Sequence, residues 1–291
     1  MPVTNTPLRY PGGKSQLIPF VIEVLRKNNL FYGEYAEPFA GGAGIAINLL
    51  INNYVTNIYL NDIDPAIHSL WSCIISESEN LCEKIKTAKV TIDEWHLQRK
   101  IYLEPSNHTL LDRGFATLFL NRTNRSGIIK AGVIGGLSQN GNYLLDCRFN
   151  KNDLIAKISR IAMYKDQIQL TNLDAVKFLR TVIPTTAVNT LVNLDPPYYA
   201  KGSELYTSFY KNKDHATLAL QIKKLERHWM VTYDDAPEIR NLYMPLPMYT
   251  SSLNYSAQIK RIGTELLVLD ESLIPPEPLS QFGINLVTRS N

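Results

Sequence analysis

One local order constrains this chain most: strand, glycine-rich turn, helix, strand, acid. Glu34–Phe39 reads as a short strand that runs into Glu37-Pro38-Phe39-Ala40-Gly41-Gly42-Ala43-Gly44. Gly44–Ile51 follows as a helix, and Asn57–Leu60 is a second strand closed by Asn61-Asp62. Glycines at a strand–helix turn let the backbone approach a ligand closely. An acid at the end of the next strand, here Asp62, suits ribose hydroxyls. Ile47 stands where a dinucleotide fingerprint requires a small residue, so the NAD reading is weakened.

The α/β pattern is interrupted and then resumes. Ile18–Leu30 reads as an amphipathic helix after Pro11-Gly12-Gly13. Later strands are expected at Ile168–Leu170, Thr190–Leu194 and Trp229–Thr232, with helices at Ala175–Val182 and His215–Arg227. Between these halves lie a helical pattern from Ile67 to Lys100, a helix at Asp112–Asn121, a Gly- and Asn-rich stretch from Ser126 to Asn142, and a helix at Asp153–Met163. The expectation is one doubly wound domain formed by residues 1–70 and 160–291, with residues 71–159 as an inserted, mostly helical module. Between Arg99 and Lys165 stand eleven Lys/Arg against four acids, a surplus of seven in a chain of net charge +3. That distribution fits either a polyanion-binding patch or a solvated helical surface.

Other classes recede on composition. At 45% hydrophobic and 20% charged residues the sequence is that of a globular protein. The start, MPVTNTPLRYPGG, lacks the apolar core of a signal peptide, and no window approaches the ~20 apolar residues that span a bilayer, so a cytoplasmic protein without membrane partners is expected. Three cysteines with no CxxC pair and five scattered histidines argue against a protein-bound metal. Pro11-Gly12-Gly13-Lys14-Ser15 imitates the tail of a P-loop, but Leu8 stands where the first glycine of that loop is required.

The sharpest chemical signal is Asn193-Leu194-Asp195-Pro196-Pro197-Tyr198, directly after an apolar strand. Ligands of open parallel sheets bind beyond the carboxyl ends of the strands, which places Asp195 within reach of a substrate. The prolines stiffen the loop and leave their carbonyls as acceptors. A carboxylate and a carbonyl make a cradle for a planar amino group with two N–H donors, and Tyr198 offers a ring for stacking. Hydrogen bonds to both protons favour the pyramidal nitrogen that amino-group methylation requires. A Pro-rich turn that merely ends a strand is the plainer alternative.

With these residues in view, the chain resembles the Dam-like family of site-specific DNA adenine methyltransferases from about Leu8 to Leu269. Arg9-Tyr10-Pro11-Gly12-Gly13-Lys14 looks like the opening motif, Glu37–Gly44 like the cofactor loop and Asp195–Tyr198 like the catalytic tetrapeptide. The resemblance implies a Rossmann-like methyltransferase sheet and S-adenosylmethionine as cofactor. It implies cofactor contacts from Tyr10, Lys14, Glu37, Pro38, Phe39, Gly42, Gly44, Asp62, Asp174 and Asp195. Asp195, Pro196 and Tyr198 would carry catalysis on an adenine flipped out of double-stranded DNA. The family's target-recognition module falls where the basic insertion lies, with Leu120–Gly127 as its signature segment, and Arg122, Asn124, Arg125, Lys130 and Arg148 would contact DNA. Arg125-Ser126-Gly127-Ile128-Ile129-Lys130 lacks the aromatic wedge and base-reading arginine of the GATC-methylating branch, so the resemblance does not carry GATC specificity to this chain. A bacterial or phage origin follows, and a restriction endonuclease is the partner of such enzymes in restriction–modification pairs. Competing readings are methylation of RNA adenine, of the cytosine amino group or of a protein glutamine, or a catalytically silent nucleic-acid-binding relative. Asp214-His215 and Glu265-Leu266-Leu267 match weaker family positions and are read as packing.

Overall fold

The computed structural model describes residues 5–9, 14–199, 210–255 and 261–287. The chain divides into two compact units: the described part of Met1–Gly13 with Asp64–Leu170, and Lys14–Ile63 with the described part of Thr171–Asn291. Residues 71–159 fall within the first.

The frame of the second unit is seven strands of an eight-stranded sheet, with the last residue of the eighth. Its strands are β1 (Glu34–Glu37), β2 (Asn57–Asn61), β3 (Ile168–Thr171, whose last residue belongs to this unit), β4 (Thr190–Leu194), β5 (His228–Asp234), β6 (Met248–Tyr255), β7 (Arg261–Leu269) and β8 (Ile284–Leu286). They are ordered β3-β2-β1-β4-β5-β7-β6-β8. β1 runs parallel to β2 and β4, and β4 parallel to β5; β7 is antiparallel to β5 and β6, and β6 to β8. This is the expected doubly wound α/β sheet, extended by an antiparallel edge. Chain order reverses between β1 and β4, the switch point at which such sheets bind ligands.

Alternation along the strands sorts the two faces. Ala36 of β1, Val192 and Leu194 of β4, Trp229, Val231 and Tyr233 of β5, and Leu266 and Val268 of β7 share one buried cluster. It includes Phe178 and Leu179 of α8 (Ala175–Thr181), Leu218 and Ile222 of α9 (Asn212–Ile222), and Ile239 and Tyr243 of α10 (Pro237–Tyr243). Burial of these side chains contributes roughly 1.5–3 kcal/mol each before chain entropy is counted. The opposite face therefore receives Tyr35, Glu37, Asn193, Thr232 and Glu265, which carry polar groups and are all buried. α1 (Ile18–Lys27) has Pro19 in its first turn and Arg26 and Lys27 in its last, which suits a helix start and its dipole. α2 (Gly44–Ile51) follows Ala43, whose φ of 45° is left-handed.

The first unit is helical: α3 (Pro65–Ser76), α4 (Ser78–Thr87), α5 (Ile92–Leu103), α6 (Leu110–Thr123) and α7 (Lys151–Ala162). α6 packs on α3 and α5, and α4 on α7. The single helical pattern expected from Ile67 to Lys100 is three helices. Glu77 leaves helical geometry at φ −134°, and Thr91 caps α5 by accepting from Glu94 N at 3.2 Å. Among the described residues no helix is long and apolar enough to cross a membrane.

Candidate active site

The polar groups of the second unit converge at the carboxyl ends of β1, β4 and β5, beside the middle of the antiparallel β7. Thr232 and Asp234 of β5 are register partners of Leu267 and Glu265 of β7, so alternation carries Thr232 and Glu265 to one face. Asp195 follows β4. Thr232 Oγ1 donates to Asp195 Oδ1 at 3.0 Å. Lys14, just before α1, places its ammonium 3.0 Å from Asp195 Oδ1 and 3.1 Å from Glu265 Oε1. The Lys14 side chain is only 4% exposed, and such burial of a charge is sustained by ionic and hydrogen-bonded partners. Tyr198 closes the cluster: its hydroxyl accepts from Lys14 Nζ at 3.2 Å and donates to Glu265 Oε1 at 2.6 Å. Burial pushes the Glu265 carboxyl above its ordinary range, and Lys14 pulls it back.

Asp195 is positioned but not consumed. Its side chain is 24% exposed; Oδ1 holds the Lys14 and Thr232 bonds, and Oδ2 accepts from no described residue. The Pro196 carbonyl likewise carries no hydrogen bond among the described residues. Two acceptors, one anionic, thus stand on adjacent residues at the end of β4. The expectation of an open ring at Tyr198 is corrected: the residue is 8% exposed, and Lys14 Nζ lies 5.1 Å from its ring centroid. Its hydroxyl and ring are committed to the ionic cluster. Tyr199 is half-buried; its backbone N–H donates to Asp234 Oδ1 at 2.7 Å, and its ring lies 5.4 Å from that of His215. His215 in turn meets Tyr210, whose ring lies 6.0 Å from Phe39 of the glycine-rich turn. An aromatic series therefore links the turn after β1 to the loop after β4, and the packing role expected of His215 includes it.

The glycine-rich turn is braced from β2. Asp62 Oδ2 accepts from Gly41 N at 2.9 Å. Asn61, fully buried, donates to Pro38 O at 2.9 Å and Leu173 O at 3.0 Å, and accepts from Thr171 Oγ1 at 2.8 Å and Leu173 N at 2.9 Å. It ties the loops after β1 and β3 to one strand end, a role the sequence reading missed. Glu37 turns inward and accepts from Ala46 N at 3.2 Å, in the first turn of α2. Burial raises its pKa to about 8, against opposing pulls from the Ala46 N–H and Tyr35. Asp174 is exposed and caps α8 through Val176 N and Lys177 N at 3.0 and 3.2 Å. Gly42 is buried, Gly44 opens α2 and Phe39 is half-buried. Tyr10 lies outside the described residues.

In the first unit the signature segment is braced from within. Asn121 accepts from Arg9 N at 2.8 Å and donates to Arg9 O and Gly127 O, each at 2.7 Å. Gly127 has φ +77°, and a Cβ there would lie 2.4 Å from Arg9 O, so the turn requires glycine. Asn124 is buried, accepting from Trp95 Nε1 at 2.6 Å and donating to Ile129 O at 2.7 Å. Its polar groups are spent inside the fold, which removes it from the DNA-contacting set. Arg122 Nε donates to Arg148 O at 2.7 Å, and burial with nearby Arg9 and Arg148 lowers its pKa to about 10. Arg125, Lys130 and Arg148 are exposed. Among the described residues no group of His, Cys, Asp and Glu is arranged to hold a metal ion.

The family profile described as D12 class N6 adenine-specific DNA methyltransferase matches residues 10–257. A search of curated proteins finds no match. Among solved structures, a Pyrococcus horikoshii protein described as a candidate RNA methyltransferase aligns at 8% identity and TM-score 0.43, covering 92% of this chain and 88% of that one. An rRNA methyltransferase from Streptomyces viridochromogenes aligns at 13% identity and TM-score 0.37, covering 88% and 84%. A conserved hypothetical protein of Streptococcus pyogenes aligns at 11% identity and TM-score 0.33, covering 83% and 88%. No residue role or substrate follows from these three.

Proposed function

Since the chain belongs to the D12 class N6 adenine-specific DNA methyltransferase family, we propose that it transfers a methyl group from S-adenosylmethionine to the exocyclic amino group of adenine in double-stranded DNA. The observation that carries this reading is the pair of adjacent acceptors at the switch point, Asp195 Oδ2 and the Pro196 carbonyl. A primary amine on a planar ring presents two N–H donors, and this pair accepts both. Holding both protons draws the nitrogen lone pair out of ring conjugation, which lowers the barrier more than it tightens binding. Thr232 and Lys14 fix Asp195 through its other oxygen, so little reorientation accompanies the reaction. The adenine leaves the duplex stack to reach this pair, at a cost of about a few kcal/mol.

The residues around the glycine-rich turn suit the cofactor. Phe39 supplies an apolar ring, Gly42 and Gly44 a backbone without side chains, and Asp62 and the exposed Asp174 supply carboxylates for hydroxyl and amino groups. When bound, S-adenosylmethionine supplies an electrophilic methyl group, its sulfur leaving as the thioether of S-adenosylhomocysteine while the methylated nitrogen gives up one of its two protons to solvent. Lys14 and Glu37 serve the site differently: Lys14 holds Asp195, and Glu37 holds the start of α2. Arg125, Lys130 and Arg148 are assigned to DNA phosphates on their exposure and charge, in a segment with a surplus of seven positive charges.

Expression in a methylation-free host, followed by long-read modified-base sequencing, tests the reading. Methyladenine in one sequence context, absent with an Asp195→Ala control, is the expected result. An unmarked genome in cells that contain soluble, cofactor-binding protein overturns it.

A further inference from the structure

We propose that Glu265 is a positioning residue for methyl transfer, which draws the Lys14 ammonium partly away from Asp195 and so keeps Asp195 a strong acceptor for the target amino group. This inference rests on the reading of Asp195 given above. Its basis is a contest of two carboxylates for one cation: Lys14 Nζ lies 3.0 Å from Asp195 Oδ1 and 3.1 Å from Glu265 Oε1. An ammonium bound to one carboxylate alone neutralises it and weakens its hydrogen bonds to other donors; shared between two, it leaves the pair with a net negative charge. Of the two, Asp195 is the one open to a substrate, since its side chain is 24% exposed and that of Glu265 3%.

The burial of Glu265 is hard to explain by packing. Its Oε1 holds Tyr198 at 2.6 Å as well as Lys14, but its Oε2 is buried with no hydrogen-bond partner. A buried, half-satisfied carboxylate destabilises a fold, and a neutral Gln or an apolar residue on β7 relieves that cost. Strain of this kind concentrates at functional positions. Glu265 also holds the Tyr198 hydroxyl, so one side chain sets both the charge beside Asp195 and the end of the loop that contains it.

Glu265→Gln tests the proposal, because it keeps the shape and removes the charge. Three quantities are measured on the purified full chain: the melting temperature, the cofactor Kd by calorimetry, and kcat on saturating unmethylated duplex DNA. The expected result is a melting temperature within about 5 °C of wild type, since Lys14 keeps Asp195 as its anionic partner, a cofactor Kd within about threefold, and a kcat lower by roughly 10- to 100-fold, the scale of one weakened charge-assisted hydrogen bond. Unchanged kcat overturns the proposal while leaving the reading of Asp195 intact. A variant that melts lower by more than that margin, or fails to fold, overturns it in favour of a packing role. Wild-type protein that methylates no DNA overturns the proposal with the reading on which it rests.

Discussion

Glu37→Gln should make this protein more stable at alkaline pH while changing little in acid. The Glu37 carboxyl is almost wholly buried, and burial raises its pKa from an ordinary 4.5 to about 8. Between those pH values the folded state holds a proton that the unfolded chain has released. Stability therefore falls as pH rises through the window, by up to ~1.4 kcal/mol per pH unit. The accumulated loss at pH 8.5 is roughly 4–5 kcal/mol as a ceiling, and about half that if the folded state relaxes around the charge. Gln keeps an acceptor for Ala46 N and carries no charge at any of these pH values. Urea unfolding of both proteins at pH 5 and pH 8.5 measures the difference. The variant should match wild type within about 1 kcal/mol at pH 5 and exceed it by roughly 2–5 kcal/mol at pH 8.5. A difference independent of pH, or a variant less stable at pH 8.5, refutes the assignment of Glu37 as a buried carboxyl that braces α2.

Three further variants separate bracing from binding. Asn61→Ala removes four hydrogen bonds at the end of β2, which should cost about 2–4 kcal/mol in denaturant unfolding and weaken cofactor binding through the loosened loops after β1 and β3. Alanine at Arg125, Lys130 and Arg148 together should leave the melting temperature within about 2 °C and lower DNA affinity. The slope of log affinity against log salt should fall by roughly 0.9 for each phosphate that is no longer neutralised. Asn124→Ala should do the reverse: stability drops by about 1–3 kcal/mol as its two internal bonds disappear, and the salt slope stays.

What was legible in the sequence was what is local. The turn from β1 to α2 and the loop after β4 each carry their chemistry within eight consecutive residues, so the switch point and Asp195 could be placed from residue order alone. Glu265 and Thr232 could not be assigned this way, because their nearness to Asp195 depends on β5 pairing antiparallel with β7 across a break in chain order. An acid at the head of the apolar run Leu266–Leu269 was the one available signal. The strand β6, second from the edge, escaped because Met248–Tyr255 is largely polar and lacks clear alternation. Tyr198 shows the other limit: its residue type suits stacking, but only the position of Lys14 and Glu265 reveals that its hydroxyl and ring are already engaged. The same ambiguity separates Asn124 from Arg125, neighbours in sequence of which one faces Trp95 and Ile129 and the other is exposed. The expectation of a single helical stretch over Ile67–Lys100 failed for a different reason, since apolar periodicity continues across breaks that only backbone geometry at Glu77 and the Thr91 cap disclose.

The most direct test of the central claim is nucleoside mass spectrometry of unmethylated duplex DNA incubated with the purified protein and methyl-labelled S-adenosylmethionine. Labelled N6-methyldeoxyadenosine should form with wild type. The rate should drop by roughly a thousandfold or more in an Asp195→Ala variant that still binds the cofactor. Label on cytosine, on RNA supplied in parallel or on none of these, or an Asp195→Ala variant that methylates at the wild-type rate, would contradict the account.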